Sequence, residues 1–416
     1  MLFSLLAIFS CNKETKPIVN ESLKERAGLP HFFDKIKKNN DIKIVYFGGS
    51  ITNHEGYRKQ SFEWFQSKYP NSKFSMVNAS IGGTGSDLGV FRIDQDVIKH
   101  KPDLVFVEFA VNDSKTDSLT VSRSMEGIVR KLKNQCPKTD ICFLYTINWI
   151  MLNDMTKGQL YQSIRYMENI AEYYNIPSIN FGKKVVKLLQ EDKLIFEGDK
   201  NTDYGNKIVF TYDGTHPTIH QGHLVYTGDI KTAFTQMESS KIKHVEGVPK
   251  ALYPNNYELA KLFPIKEFEK SDGWKLIPKN DNLYKYYQKS SKYFDELYYT
   301  NNPEDYITFK FKGSMIGLFD VIGPSSSGIT IKLNDDVIPV RRFDKYCGTR
   351  YRSHYKLLPS IEDKEYTVTI QLDTTSFDKK SIYNEFKKGE NIKEEHLFTQ
   401  NNAYLGEILL IGEIIK

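Results

Sequence analysis

Between residues 41 and 240, short apolar runs alternate with amphipathic stretches, and this alternation restricts the fold more than any other property of the chain. KIVYF (43–47), FSMVNAS (74–80), LVFVEFA (104–110), ICFLYTI (141–147) and SINF (178–181) read as strands. LVFVEFA is apolar almost throughout, as a parallel strand covered on both faces is. Residues 57–68, 86–99, 119–135, 158–174, 183–191 and 219–236 have helical spacing. Strand–helix alternation of this kind predicts a doubly wound α/β domain with a parallel sheet. Sites in such sheets form where the strands end at their carboxyl edge.

After residue 240 the pattern changes. HVEGVPKALYPNNYE (244–258) reads as a linker, and alternating runs follow: YITFKFKG (306–313), SMIGLFDVIG (314–323), GITIKLNDD (328–336), YTVTIQLD (366–373) and YLGEILLIGEI (404–414). Separated by Gly, Asn, Asp and Ser, they predict an antiparallel β-sandwich. Residues 376–398 are polar and read as a surface insertion. The expected organisation is an α/β domain over 30–242, a linker over 243–265 and a sandwich over 266–416. A chain of 416 residues, 40% of them hydrophobic, is long enough for two cores.

The N-terminus, MLFSLLAIFSCNKETK, is an apolar run ending at Cys11 and followed at once by polar residues. It resembles a bacterial lipoprotein signal, although no Lys or Arg precedes the apolar run. The run is too short to span a bilayer and is set apart from the fold as a leader over 1–11. The resemblance implies a lipid anchor on Cys11 and a place in the cell envelope, or secretion. Lys and Arg are scattered and the net charge is only +5, so no nucleic-acid partner is expected. Cys136, Cys142 and Cys347 lack CxxC spacing, so no zinc site is expected. Cys136 and Cys142 are read as free thiols, with a disulfide between them left open.

Four short motifs sit at the ends of these elements. Gly48-Gly49-Ser50 follows the first strand, NASIGGTGS (78–86) the second and FAVND (109–113) the third, and YDGTHPT (212–218) precedes the last helix. Alone, Gly-Gly-Ser is ordinary turn chemistry. Together the four supply the parts of an acyl-transfer site. A serine hydroxyl needs a base to take its proton, and His216 offers an imidazole. Asp213, three residues earlier, can hold the other ring nitrogen and stabilise the imidazolium. The oxyanion needs preorganised donors, for which the Gly83 and Ser50 backbone N–H groups and the Asn112 amide are the candidates.

These residues resemble the GDSL-like, or SGNH, hydrolase superfamily, named for a Ser, Gly, Asn and His in four blocks. The matches are Ser50 in FGGSIT, Gly83 in NASIGG, Asn112 in AVND and His216 in DGTHP. The resemblance covers about residues 41–240. It implies a flavodoxin-like three-layer α/β/α fold and a serine esterase mechanism with no metal or other cofactor. Two positions depart from the family pattern: Gly49 stands where an acidic residue usually precedes the serine, and Val111 where a glycine often precedes the Asn.

Asp113 is read as structural, Thr52 and Ser86 as caps or turn ligands, and His223 as a packing residue. His54, Arg58 and Trp149 are candidates for lining the substrate entrance, with surface or core roles equally open. The anchor and the appended sandwich, which resembles the jelly-roll domains accompanying carbohydrate esterases, point to an acetylated polysaccharide or oligosaccharide as substrate. The aromatic segment Tyr284–Tyr299 is a candidate for glycan stacking, although aromatics in such sandwiches more often belong to the core. Three other functions stay open: a lipase or lysophospholipase, a glycan O-acetyltransferase, or a non-catalytic glycan-binding lipoprotein. Sequence does not give the oligomeric state.

Overall fold

The computed structural model describes residues 20–240, 247–278, 280, 294–348, 350–385 and 395–415. The leader with Cys11, residues 284–293 of the aromatic segment and residues 386–394 of the insertion lie outside the described residues. Two compact units divide the chain, and the division does not follow chain order. Residues up to Gly85, Lys101–Ser118 and Cys136–Pro249 form the first, and Ser86–His100, Leu119–Gln135 and Lys250–Lys416 the second.

In chain order the elements up to residue 240 are β1 (Leu23–Lys24), α1 (Pro30–Lys37), β2 (Ile42–Gly48), α2 (Ser50–Asn53), α3 (Tyr57–Lys68), β3 (Phe74–Asn78), α4 (Ser86–Asp96), β4 (Leu104–Glu108), α5 (Ser118–Gln135), β5 (Asp140–Tyr145), α6 (Trp149–Thr156), α7 (Gln162–Tyr173), β6 (Ser178–Asn180), α8 (Phe181–Gln190), β7 (Leu194–Glu197), β8 (Ile208–Thr211) and α9 (Gly222–Ser239). Six strands of the first unit form one sheet in the order β1-β6-β5-β4-β2-β3. β2 to β6 are mutually parallel, and the two-residue β1 runs antiparallel at the β6 edge. Counted from β2, this is the flavodoxin-like order. The chain leaves β2 for β3 on one side, then crosses to β4 on the other. A crevice opens at such a switch point, outside the strand ends. β2 therefore delivers residue 50 to the site edge.

β2 holds this position because Ile44, Val45, Tyr46 and Phe47 are all fully buried. Aromatic rings from α1, α3, β4 and α9 meet in the core of the first unit. Phe65 and Phe234 lie 4.9 Å apart edge to face, Phe32 lies 5.7 Å from Phe65, and Phe106 lies 5.7 Å from Phe234. The helix expected over 158–174 is α7, which begins only at Gln162. A separate helix, α6, precedes it. Gly158, at φ +76°, lies just past the end of α6 in the left-handed conformation that favours glycine. Sequence reading does not find α6, α1 or the β7–β8 pair. α1 is opened by Pro30 and buries Phe32, Phe33 and Ile36.

The second unit carries the antiparallel sheets. Its strands are β9 (Ala260–Pro264), β10 (Glu269–Lys270), β11 (Lys275–Leu276), β12 (Tyr298–Thr300), β13 (Tyr306–Ile322), β14 (Gly328–Leu333), β15 (Asp336–Arg341), β16 (Arg352–Leu357), β17 (Lys364–Asp373), β18 (Ala403–Leu405) and β19 (Glu407–Ile415). The main sheet runs β15-β14-β17-β13-β19-β9 with β10 and β16 also on β13, and β11-β12-β18 form a smaller one. The two strands expected at 306–313 and 314–323 are one strand of 17 residues. Gly313 faces Gly412 across the ladder, and the register shifts between Gly313 and Met315. A Cβ at either glycine would lie 2.2 Å from a carbonyl oxygen of the other strand. The glycines thus mark a bulge in a continuous strand, not a turn. Ile307, Phe311, Ile316, Leu318, Ile329, Ile331, Val368 and Ile370 build the core of this unit. Within the same unit, Lys131 of α5 donates from Nζ to Asp94 near the end of α4 and to the Ala260 carbonyl of β9.

Cys136, Cys142 and Cys347 are free thiols. Among the described residues no helix is long and apolar enough to cross a membrane.

Candidate active site

The Gly48-Gly49-Ser50 stretch has two glycines for two different reasons. A Cβ on Gly48 would stand 2.6 Å from the Glu108 carbonyl oxygen and 2.7 Å from Thr52 Oγ1. A Cβ on Gly49 would stand 2.0 Å from Asn112 Oδ1. The first glycine lets β2 and β4 close around the elbow, and the second leaves room for the Asn112 amide. Ser50 is then the first residue of α2, with Gly49 as N-cap. Its side chain leaves the sheet edge at the switch point.

Ser50 Oγ lies 2.8 Å from His216 Nε2. His216 Nδ1 lies 2.7 Å from Asp213 Oδ2. Asp213 is held in turn: its Oδ1 accepts from the Thr215 N–H at 2.9 Å, the His216 N–H at 2.7 Å and the Thr211 hydroxyl at 3.0 Å. Partial burial would push this carboxyl up, but the hydrogen bonds to its ionised form outweigh that and hold it well below the usual carboxylate range. The turn is set by Gly214 at φ +71°, where a Cβ would also strike Glu197 and Trp149. Hydroxyl, imidazole and carboxylate so arranged are equipped to activate an alcohol for acyl transfer.

The segments that carry the candidate oxyanion donors adjoin the elbow. A Cβ on Gly82 would be 3.6 Å from Ser50 Cβ, so the Gly82-Gly83 loop flanks the serine. Gly83 has φ +76° and open space where its Cβ would be. Its requirement for glycine is therefore conformational. Asn112 packs against Gly49 through the contact given above. Asn112→Ala is expected to cost about 10²–10³ in kcat, the loss of one oxyanion donor. Gly49→Ala, which pushes the amide aside, should reproduce that loss. Steady-state kinetics on p-nitrophenyl acetate checks both, and a raised KM with unchanged kcat would reassign Asn112 to substrate binding.

The other candidates divide. Arg58 takes the core role that the sequence leaves open for it. It is buried, and its guanidinium donates to the Thr52, Asn53 and His54 carbonyls at 3.0, 3.2 and 3.5 Å. Those are the carbonyls α2 leaves unsatisfied at its C-terminus. Thr52 is not a cap; its hydroxyl donates to Glu108 at 2.7 Å. His54 is exposed, its ring 5.1 Å from that of His216. His223 is fully buried, takes the Tyr57 N–H on Nδ1 at 3.1 Å and is pushed down to about 3 by burial. It is a neutral packing residue.

Trp149 is 60% exposed, and its backbone N–H donates to the Gly214 carbonyl at 2.8 Å. On the other flank of the same turn stands Tyr212, 43% exposed, with Lys200 Nζ 5.5 Å from its ring centre. Sequence reading does not single out Tyr212, although it adjoins Asp213. An open groove of ≈ 860 Å³ runs past His54, Lys200, Tyr212, Asp213 and His216. Glu108 also escapes sequence reading, because a carboxylate at the end of an apolar strand carries no motif.

No curated protein matches the chain. Among solved structures it is similar to a two-domain esterase (CEX) active on acetylated mannans, co-crystallised with mannopentaose. Identity is 19% and the TM-score 0.69, with 95% of this chain and 98% of that chain covered. A second structure of that esterase matches at 18% identity and TM-score 0.69, with the same coverage. Axe2, an acetylxylan esterase from Geobacillus stearothermophilus, matches at 21% identity and TM-score 0.37, covering 49% of this chain and 97% of its own. At such identities the first two likenesses are ones of fold, an α/β domain with a parallel sheet together with a C-terminal antiparallel sheet domain. Residues 46–220 match the model of the GDSL-like Lipase/Acylhydrolase family. That stretch contains Ser50, Gly83, Asn112, Asp213 and His216, so the similarity to the GDSL-like lipase/acylhydrolase family lies in the α/β part of the chain and takes in every candidate catalytic group.

Proposed function

We propose that the protein is a serine carbohydrate esterase that removes O-acetyl groups from a polysaccharide or oligosaccharide. The Ser50–His216–Asp213 relay at the carboxyl edge of the sheet carries this reading. His216 Nε2 takes the Ser50 proton as Oγ attacks the ester carbonyl carbon. The carbonyl π electrons move onto oxygen, where the Ser50 and Gly83 N–H groups and the Asn112 amide stabilise the charge. Collapse expels the sugar oxygen, which takes the proton from His216 and leaves an acetyl-serine. Water then attacks the acyl carbon, gives its proton to His216 and releases acetate, and the proton returns to Ser50.

The substrate class draws support from an exposed aromatic ring, Tyr212, on the wall of a groove that is open rather than closed, and from a second exposed ring, Trp149, whose backbone is bonded to Gly214 of the same turn. A fatty acyl chain would call for a covered apolar tunnel, whereas sugar rings stack on exposed aromatic faces. The fold likeness to an esterase active on acetylated mannans points the same way. Trp149→Ala and Tyr212→Ala should each raise KM for an acetylated glycan by about 2–10-fold, from a stacking contribution of about 0.5–1.5 kcal/mol. KM for p-nitrophenyl acetate should stay within about twofold. Equal effects on both substrates would remove the two rings from glycan binding.

The function itself is tested by incubating the protein with a panel of acetylated glycans and reading released acetate. Acetyl and long-chain p-nitrophenyl esters are compared alongside. Preference for long-chain esters would replace the proposal with a lipase. Acetyl transfer to an added sugar in place of acetate release would replace it with a transferase.

A further inference from the structure

A buried carboxylate, that of Glu108, stands directly behind the nucleophile elbow, and the acyl-transfer steps above do not use it. Glu108 ends β4 and stands opposite Gly48 in the parallel ladder. It is fully buried, as are Thr52, Tyr57 and Thr146 around it. One oxygen accepts from the Thr52 hydroxyl at 2.7 Å and the other from the Thr146 hydroxyl at 2.6 Å. Tyr57 OH lies 2.5 Å from Thr52 Oγ1 and extends the chain. Gly49, the N-cap of α2, gives its N–H to the same carboxylate. Each of these bonded groups can donate, which is the environment of an ionised carboxylate.

Burying a carboxylate is unfavourable unless its partners compensate. Burial pushes Glu108 above its ordinary value, an effect that the Thr146, Thr52 and Gly49 donors together with His216 offset only in part. A neutral glutamine of the same shape would fill this space without the desolvation cost. The charge is therefore the feature that calls for a role. Two of its bonds go to residues on either side of Ser50, namely Gly49 and Thr52. A third, to Thr146, ties the carboxylate to the chain just after β5.

We propose that Glu108 is a positioning residue for the nucleophile: by gripping the Gly49 N–H and the Thr52 hydroxyl it fixes α2, and with it the Ser50 Oγ and backbone N–H, against the sheet edge. Its negative charge also favours the imidazolium that His216 becomes as it takes the serine proton. The titratable groups that face it are Tyr57 on α3, Tyr226 on α9 and His216 on the loop before α9. Burial keeps both phenols neutral, so His216 is the group whose charging the carboxylate assists. The inference rests on the Ser50 mechanism proposed above.

The test is Glu108→Gln in the full chain, assayed with p-nitrophenyl acetate after titrating competent sites with a fluorophosphonate. The expected result is a full complement of titratable serines, KM within about twofold of wild type and kcat per site lowered by about 10–100-fold. That range is typical for loss of a group that orients a catalytic one. Thr146→Val removes one donor at a distance from Ser50 and should lower kcat per site by about 3–10-fold, again without a change in KM. If Glu108→Gln does not fold, this second variant decides. Wild-type turnover per titrated site in the folded variant would overturn the proposal, whether or not fewer sites were competent. So would a change confined to KM. A Ser50→Ala protein that remained active would instead bring down the mechanism on which the inference rests.

Discussion

Ser50→Ala is expected to give a folded protein whose kcat on p-nitrophenyl acetate is lower by about 10⁴-fold or more. The hydroxyl is bonded to the half-exposed His216 ring, so its removal strands no deeply buried donor or acceptor. Alanine is at home in the first turn of a helix, and the position is only partly buried, so no cavity forms. Helix α2 keeps its Arg58 and Glu108 anchors. Fold and groove should survive, so the variant should still bind acetylated glycan while failing to release acetate. Residual rate over water would come from the oxyanion donors and binding alone. Near wild-type turnover in a preparation free of contaminating esterase would mean that another group attacks the ester.

Asp213→Asn should cost nearly as much, about 10³–10⁴ in kcat, and for a tautomeric reason. Asp213 Oδ1 accepts three bonds, from the Thr211 hydroxyl and the N–H groups of Thr215 and His216. In asparagine the amide oxygen takes that position, because an NH₂ there would face three donors. The NH₂ then faces His216 Nδ1 and donates to it. The imidazole proton moves to Nε2, which points at Ser50 and can no longer accept its proton. The turn should stay folded, since the three bonds that shape it are kept. Loss of kcat with an unchanged far-UV spectrum and thermal midpoint is the expected signature. Full activity would show that His216 needs no carboxylate to orient it. In the wild type the sign of the pH effect is set by the depressed carboxyl. Its contribution to the turn is fully present above the ordinary aspartate range and fades only as pH falls through the lowered value.

The catalytic candidates are legible because their chemistry is written in residue types at strand ends. A serine after two glycines, an Asn-Asp pair and an Asp-x-x-His turn each need little context, and the sheet brings them to one edge. Arg58 is left undecided by the sequence for the opposite reason. Four residues beyond His54, it reads equally as an entrance cation or a core residue, and only the fold shows that the short α2 leaves carbonyls that a buried guanidinium satisfies. Glu108 and Tyr212 draw no attention in the sequence because one ends an apolar strand and the other precedes a motif. Only their neighbours in space give them a role.

The parallel and antiparallel halves, the strands β2 to β6 and the identity of the Ser, Asn, Asp and His groups can all be read from the residues alone. Periodicity and turn residues are local properties, and each is readable within about ten residues. Whatever depends on distance across the chain had to await the folded molecule. The two-glycine elbow set against Glu108 and Asn112 is one such feature. The alignment of Ser50 with a histidine 166 residues away is another, and so is the continuity of β13 through Gly313. The grouping of residues 86–100 and 119–135 with the later unit belongs to the same class. Helical spacing says that a helix has an apolar face, but which partner covers that face is settled only when the chain is packed.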